Sequence, residues 1–186
     1  MLMTRRSERG DLRRASLHGT EGEHKPENAL RPLESAGWTV VHDIREKRFG
    51  SYDHVAVGPS GVYLLETKNH QGIVDIRCGV PRLRRRHDPG ASTVFRQYRP
   101  RALGVAAHVK KQIQERCGHR AWVQAVVVFW SEFPEGLVED GRCVYIHGSR
   151  LRAWLTEREA KLDGRQVEQI SGVLERLLDE PVEVAG

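Results

Sequence analysis

DHVAVGPSGVYLLETKNHQG, residues 53–72, reads as two apolar strands joined by the turn GPSG. Yet it opens on an acid, Asp53, and ends its second strand on an acid and a base, Glu66 and Lys68. Because side chains alternate faces along a strand, Glu66 and Lys68 share one face with Val62 and Leu64. A two-residue turn, with Gly58 facing Gly61, sets Asp53 directly opposite Glu66. Proline at the first central position favours instead a type I turn with a bulge at Gly61, which slips the register by one and sends Asp53 to the other face. The turn chemistry leaves both registers open.

Two carboxylates side by side repel, and a lone carboxylate in an apolar strand costs several kcal/mol unless it is paired. A divalent cation removes both penalties. Magnesium prefers oxygen donors and takes only one or two carboxylates from a protein, drawing its other ligands from water and phosphate. Asp53 and Glu66 suit that role, and Lys68 beside them suits orienting or deprotonating an attacking water, or offsetting charge on a phosphate. A bare Glu-x-Lys is common at solvated strand ends. An acid, a hairpin and then Glu-x-Lys closing an apolar strand favours chemistry.

Outward from the hairpin, Ala29, Leu30, Leu33 and Ala36 recur at helical spacing before Gly37. Pro26 belongs in the first turn of that helix, which sets Glu23 at or just before its start, and Pro32 bends or breaks it. Trp38–Ile44 reads as a strand, and Ile73–Cys78 as another after Gly72. PRLRRRHDPGAST, residues 81–93, reads as turn-rich and basic. Ala102, Val105, Ala106, Val109 and Ile113 mark a helix ending near Gly118, and VQAVVVFW, residues 123–130, a strand covered on both faces. A strand over Arg142–His147 and helices over Ser149–Arg158, with Ser149 as N-cap, and Arg165–Leu178, with Leu174, Leu177 and Leu178 as a buried stripe, complete the chain. The order predicts an α/β fold, a mixed central β-sheet flanked by helices.

With 186 residues the chain is long enough for one domain with a real core. Residues 1–18 are Arg-rich with little periodicity and are expected to form a flexible basic arm, with residues 19–186 a single domain whose core spans 19–130 and whose C-terminal strand and two helices span 142–178. Three cysteines, far apart and without a CxxC pair, indicate neither a disulfide framework nor a zinc site. With no apolar leader and no membrane-length apolar run, a cytoplasmic protein without membrane attachment is expected. The absence of Walker, GxGxxG, GxSxG and HExxH patterns removes nucleotide-binding, serine-hydrolase and zincin readings.

A further set of residues carries a resemblance. GxxGE (Gly19, Gly22, Glu23), GW (Gly37, Trp38), the DHVAVGPSGVYLLETKNHQG hairpin and the later QAVVVF strand resemble the nuclease-related domain (NERD) family, a branch of the PD-(D/E)XK phosphodiesterases. The resemblance covers residues 19–130 and implies a restriction-endonuclease-like core. It implies magnesium dependence, with manganese as a substitute, Asp53 and Glu66 as metal ligands, and Lys68 as the catalytic lysine. Glu23 would be an auxiliary acid and DNA the substrate.

The net charge of +5 is unevenly spread, which bears on that substrate. Arg82–Arg116 holds ten basic residues against two acids, whereas Glu132–Glu183 holds twelve acids against seven bases. Arg84, Arg85, Arg86, Lys110 and Lys111 are the residues expected to contact phosphate, against the alternative of a solvated loop and helix face. His54 and His70 flank the hairpin's charged end, and Phe95 and Tyr98 stand among the arginines as stacking or core residues. The reading is therefore a metal-dependent nuclease acting on DNA. A catalytically inactive nucleic-acid-binding module of the same fold and a protein-interaction domain are the rivals.

Overall fold

The computed structural model describes residues 30–33, 36–46 and 50–179. Glu23, Gly19, Gly22, Pro26 and the arm at residues 1–18 lie outside the described residues. Residues 30–33 are helical, and Leu30 and Leu33 are buried against Trp38. Nine strands and three further helices follow: β1 Thr39–Glu46, β2 Gly50–Gly58, β3 Gly61–Lys68, β4 Ile73–Arg77, β5 Val80–Arg85, β6 Asp88–Val94, α1 Tyr98–Cys117, β7 Val123–Phe129, β8 Leu137–Asp140, β9 Cys143–His147, α2 Gly148–Thr156 and α3 Gly164–Asp179.

The main sheet is six-stranded in the order β1-β2-β3-β7-β9-β8. Its central pairs, β3 with β7 and β7 with β9, are parallel, and the outer pairs are antiparallel. This is the mixed sheet flanked by helices that the element order predicts. As expected for a strand covered on both faces, β7 turns Ala125, Val127 and Phe129 into one apolar cluster with Ala102, Val105 and Val109 of α1 and Ile170 and Leu174 of α3. Val126 and Val128 face the other cluster, with Tyr63, Leu65, Leu151 and Leu155.

The hairpin settles which of the two registers the chain adopts. Gly58 pairs with Gly61 and the ladder runs unbroken to His54 opposite Leu65, so the turn has two residues and carries no bulge. Tertiary contacts hold this tight turn: Ser60 Oγ donates to Leu155 O at 2.9 Å, and the amides of Lys161 and Leu162 donate to Pro59 O at 2.7 and 2.9 Å. Gly58 cannot be replaced without movement, because a Cβ there would lie 2.1 Å from the Trp38 ring.

Three expectations are corrected. Residues 81–93 are not a turn-rich loop: they form most of β5 and β6, which join β4 in a second, three-stranded antiparallel sheet. Only Pro81 and Leu83 of β5 are buried, and a shift of register between Arg84 and Arg85 interrupts the alternation. The N-cap of α2 is His147, whose side chain accepts from the Ser149 amide at 3.3 Å, so Ser149 lies inside the helix. Leu174 and Leu177 of α3 are buried as expected, but Leu178 is 45% exposed, one position beyond the apolar stripe. The short edge strand β8 is an addition to the sequence reading.

Helix α3 begins with a reciprocal cap. Asp163 Oδ1 accepts from the Gln166 amide at 2.8 Å while Gln166 Oε1 accepts from the Asp163 amide at 2.9 Å, satisfying two otherwise orphaned donors. Asp163→Ala is expected to cost about 1 kcal/mol and lower the thermal midpoint by about 2–4 °C. An unchanged midpoint would show that packing on β1 and α1 holds this helix end without its cap. No helix among the described residues is long and apolar enough to cross a membrane.

Candidate active site

The ladder between β2 and β3 stops at His54–Leu65, and the next residues on each strand are Asp53 and Glu66. Here a side chain takes over from the backbone. The Thr67 amide donates to Asp53 Oδ2 at 2.6 Å, which fixes one oxygen of that carboxylate. Asp53 shares the parity of Val55 and Val57, and Glu66 that of Val62 and Leu64. All four apolar residues belong to the cluster beneath α1 and α3, which puts Glu66 on that face; Tyr52 belongs to it as well, so the alternation of β2 breaks at Asp53, whose charge still lies close enough to raise the Glu66 pKa.

Glu66 is 3% exposed. Burial raises its pKa above the usual glutamate value; the Lys68 ammonium opposes that rise, and the Asp53 charge adds to it. The two carboxylate oxygens of Glu66 differ in their surroundings. Oε2 accepts from Lys68 Nζ at 3.1 Å and lies 3.8 Å from Arg101 Nε. Oε1 is buried without a hydrogen-bond partner among the described residues. A buried, unpartnered carboxylate oxygen costs free energy comparable to a lost charged hydrogen bond.

Arg101 is the residue the sequence reading missed. It lies in the first turns of α1, where its Nη2 donates to Ser51 O at 2.7 Å while Nε approaches Glu66. The signal was present, since Arg101 sits beside Ala102 at the border of the stripe formed by Ala102, Val105, Ala106 and Val109. A charge on that border looks toward the sheet rather than into solvent. Tyr98, one helical turn earlier, receives Lys68 Nζ 5.4 Å from its ring centre and bonds His70 Nε2 through its hydroxyl at 2.7 Å.

The remaining sequence candidates are scattered. His54 points to the opposite face, where its Nδ1 is 2.8 Å from His42 Nδ1. Arg84 pairs with Asp75 at 3.2 Å, Arg86 pairs with Glu132, and Arg85 is exposed on β5. Glu132 also anchors the small sheet to the main one, its carbonyl accepting from the Val74 amide at 2.7 Å. Lys110 lies over the Trp122 ring at 5.6 Å, and Lys111 pairs with Glu115 at 3.6 Å. Trp122 adjoins Val123, which pairs with Val62 at the start of β3. Lys110 is thus gathered at the end of the sheet opposite Lys68, about 20 Å along the strand.

No group of three or more His, Cys, Asp or Glu residues among the described residues could enclose a metal. Magnesium takes one or two carboxylates from a protein and keeps open positions. Glu66, with its unpartnered Oε1, and Asp53, whose charge raises the Glu66 pKa, are the two carboxylates gathered here.

Comparison with known proteins adds to this geometry. The family model for the nuclease-related domain matches residues 18–130, more than half of the chain. Among solved structures, that of a repair endonuclease from Pyrococcus abyssi is similar at 15% identity, over 87% of this chain and 50% of that one, with a TM-score of 0.28. The chain therefore spans half the length of that structure. No curated protein matches.

Proposed function

Because the chain belongs to the nuclease-related domain family, we propose that it is a magnesium-dependent nuclease that hydrolyses DNA phosphodiester bonds, with Asp53 and Glu66 as the metal ligands and Lys68 as the catalytic lysine. The observation that carries this reading is the buried, unpartnered Oε1 of Glu66, with Asp53 close enough to raise the Glu66 pKa and a lysine beside it. A structural ion pair between Glu66 and Lys68 alone would give no reason for a second carboxylate that raises the Glu66 pKa.

Bound by these two carboxylates, magnesium or manganese supplies Lewis-acid stabilisation of phosphate charge and a more acidic water. The protein's own groups do the rest. Asp53 is held in place by the Thr67 amide, and Glu66 is oriented through Oε2 by Lys68 and Arg101. The Lys68 ammonium orients the attacking water and offsets charge on the phosphate. Glu23 is an auxiliary acid in this proposal.

The test is a cleavage assay with single-stranded, duplex, flap and junction DNA, and with RNA, each with and without magnesium. Metal-dependent cleavage of DNA is expected. Binding without cleavage by intact protein in magnesium and in manganese would leave a nucleic-acid-binding module instead.

Arg84, Arg85 and Arg86 are proposed phosphate contacts, and the structure refines how they are tested. Since Arg84 and Arg86 also hold Asp75 and Glu132, Arg85→Ala is the cleaner probe. It is expected to weaken DNA binding for all sequences alike and to reduce the salt-dependence slope by about 1. An unchanged slope would remove this part of β5 from the interface. Lys110 and Lys111, at the other end of α1, belong to the interface only if the bound strand runs the length of that helix.

A further inference from the structure

Between β6 and α1 the chain reads VFRQYRPR, residues 94–101, alternating aromatic rings with arginines. Its backbone is pinned, the Phe95 amide donating to Pro81 O at 2.9 Å and the Tyr98 amide to Phe95 O at 3.4 Å. Across from it the His70 amide donates to Ser131 Oγ at 2.8 Å. Three rings are thereby fixed almost parallel. His70 and Tyr98 are 3° apart in plane with centres 6.1 Å apart, and Phe95 is 7° from His70 and 4° from Tyr98 with centres at 4.6 and 4.7 Å.

These distances determine the arrangement. If Phe95 were sandwiched between the other two, their centres would be separated by two stacking intervals, about 7 Å or more. The observed 6.1 Å is too short. The 2.7 Å bond between Tyr98 Oη and His70 Nε2 instead joins the two rings edge to edge in one plane, with Phe95 lying across the seam on one side. The result is a flat plate with one face backed by Phe95. All three residues keep part of their surface exposed, and the plate adjoins Lys68, 5.4 Å from the Tyr98 ring centre. Burial pushes the Tyr98 hydroxyl up to about 12 and, with Lys68, lowers the His70 pKa. At neutral pH the plate is uncharged.

We propose that the His70–Tyr98 plate, backed by Phe95, receives an unpaired nucleobase next to the phosphate held at Lys68, so that the substrate is single-stranded or end-frayed DNA. The inference rests on the nuclease reading of the neighbouring site and names its substrate class. Within a duplex each base is already stacked on its neighbours, so a partly exposed plate beside the site gains a contact only from a base that has left the stack. Exposed Arg96, within the same segment, is available for the backbone of such a strand.

The test is binding in EDTA, without turnover, of a single-stranded oligonucleotide carrying 2-aminopurine and of the same sequence as a blunt duplex with the probe paired at its centre. Quenching of the single-stranded probe is expected for the wild type. Tyr98→Leu and Phe95→Leu should weaken single-strand binding about 10-fold and abolish the quench while leaving duplex binding unchanged. Tyr98→Phe, which keeps the ring, should retain most of both signals. Absence of quenching in the wild type, equal quenching of the blunt duplex, or equal losses for both DNA forms in the Leu variants would each overturn the proposal. A wild type that quenches but cleaves nothing with magnesium overturns the nuclease reading and leaves the plate. A wild type that cleaves but does not quench does the reverse.

Discussion

Asp53→Asn and Glu66→Gln are each expected to reduce magnesium-dependent cleavage by at least about 10²–10³-fold, while the metal-free protein remains as stable as the wild type or becomes slightly more so. Both changes keep side-chain shape. Asn at position 53 can still accept from the Thr67 amide, and Gln at position 66 can still accept from Lys68, so the bonds the structure shows survive. What disappears is ligand charge. The stability sign follows from the Glu66 pKa, which burial raises in the folded state. Between the ordinary glutamate value and the raised one, the folded protein binds more protons than the unfolded chain, so stability falls as pH rises across that window. Above it the wild type carries the full cost of a buried carboxylate. Glu66→Gln removes that cost and flattens the pH dependence.

Magnesium should supply the complementary signal. At about 100 times its Kd, a ligand bound only by the folded state stabilises it by about 2.7 kcal/mol, which corresponds to about 5–10 °C in thermal midpoint for a domain of this size. The wild type is expected to show this shift and both variants to lack it. Because binding requires ionised Glu66, wild-type cleavage should fail on the acid side at a pH above the usual glutamate range, and rising magnesium should move that limb to lower pH. If the wild type shows no thermal shift and both variants lose stability without metal, the three charges are structural partners of one another.

The site was legible to the extent that it depends on strand parity. Glu66 and Lys68 fall on one face whatever the turn does, and the only open question, the register of Asp53, came down to one residue in GPSG. Local turn chemistry could not answer it, because Ser60 and Pro59 are held from outside the hairpin by Leu155, Lys161 and Leu162. The small sheet was illegible for a different reason. A strand that buries only Pro81 and Leu83 among three arginines shows no period, and its burial comes from docking on the main sheet through Glu132 and from the Tyr145 hydroxyl donating to Gly79 O at 2.6 Å. Counting arginines over residues 82–116 also merged two unlike groups. Arg101, near Glu66, and Lys110, over Trp122, lie about 14 Å apart along α1, a distance that charge totals do not contain.

Lys68→Met is expected to lower the cleavage rate by about 10²–10⁴-fold, the usual scale for losing a positioned acid–base group, while magnesium binding persists. Methionine keeps most of the stem and removes the ammonium. Yet Lys68 also donates to Glu66 Oε2 at 3.1 Å and is the main influence holding the Glu66 pKa down. Its removal must therefore push Glu66 higher and carry the acid limb of the rate profile to higher pH. Burial and, to a lesser extent, the Lys68 charge lower the His70 pKa, so removing that charge should let it rise, a shift that NMR can follow independently of turnover. These linked effects separate two roles for the lysine. If Lys68 acts only by keeping Glu66 ionised, the rate loss will vanish once the pH exceeds the new Glu66 value, and Lys68→Arg will restore activity at neutral pH. If the ammonium acts on the water or the phosphate, the loss will persist on the alkaline plateau, where Glu66 is ionised in both proteins. The persistent loss is the expected result, because Arg101, 3.8 Å from the same Glu66 oxygen, offers Glu66 a second cation, and an ammonium that gives one hydrogen bond to Glu66 keeps two donors for the reacting groups.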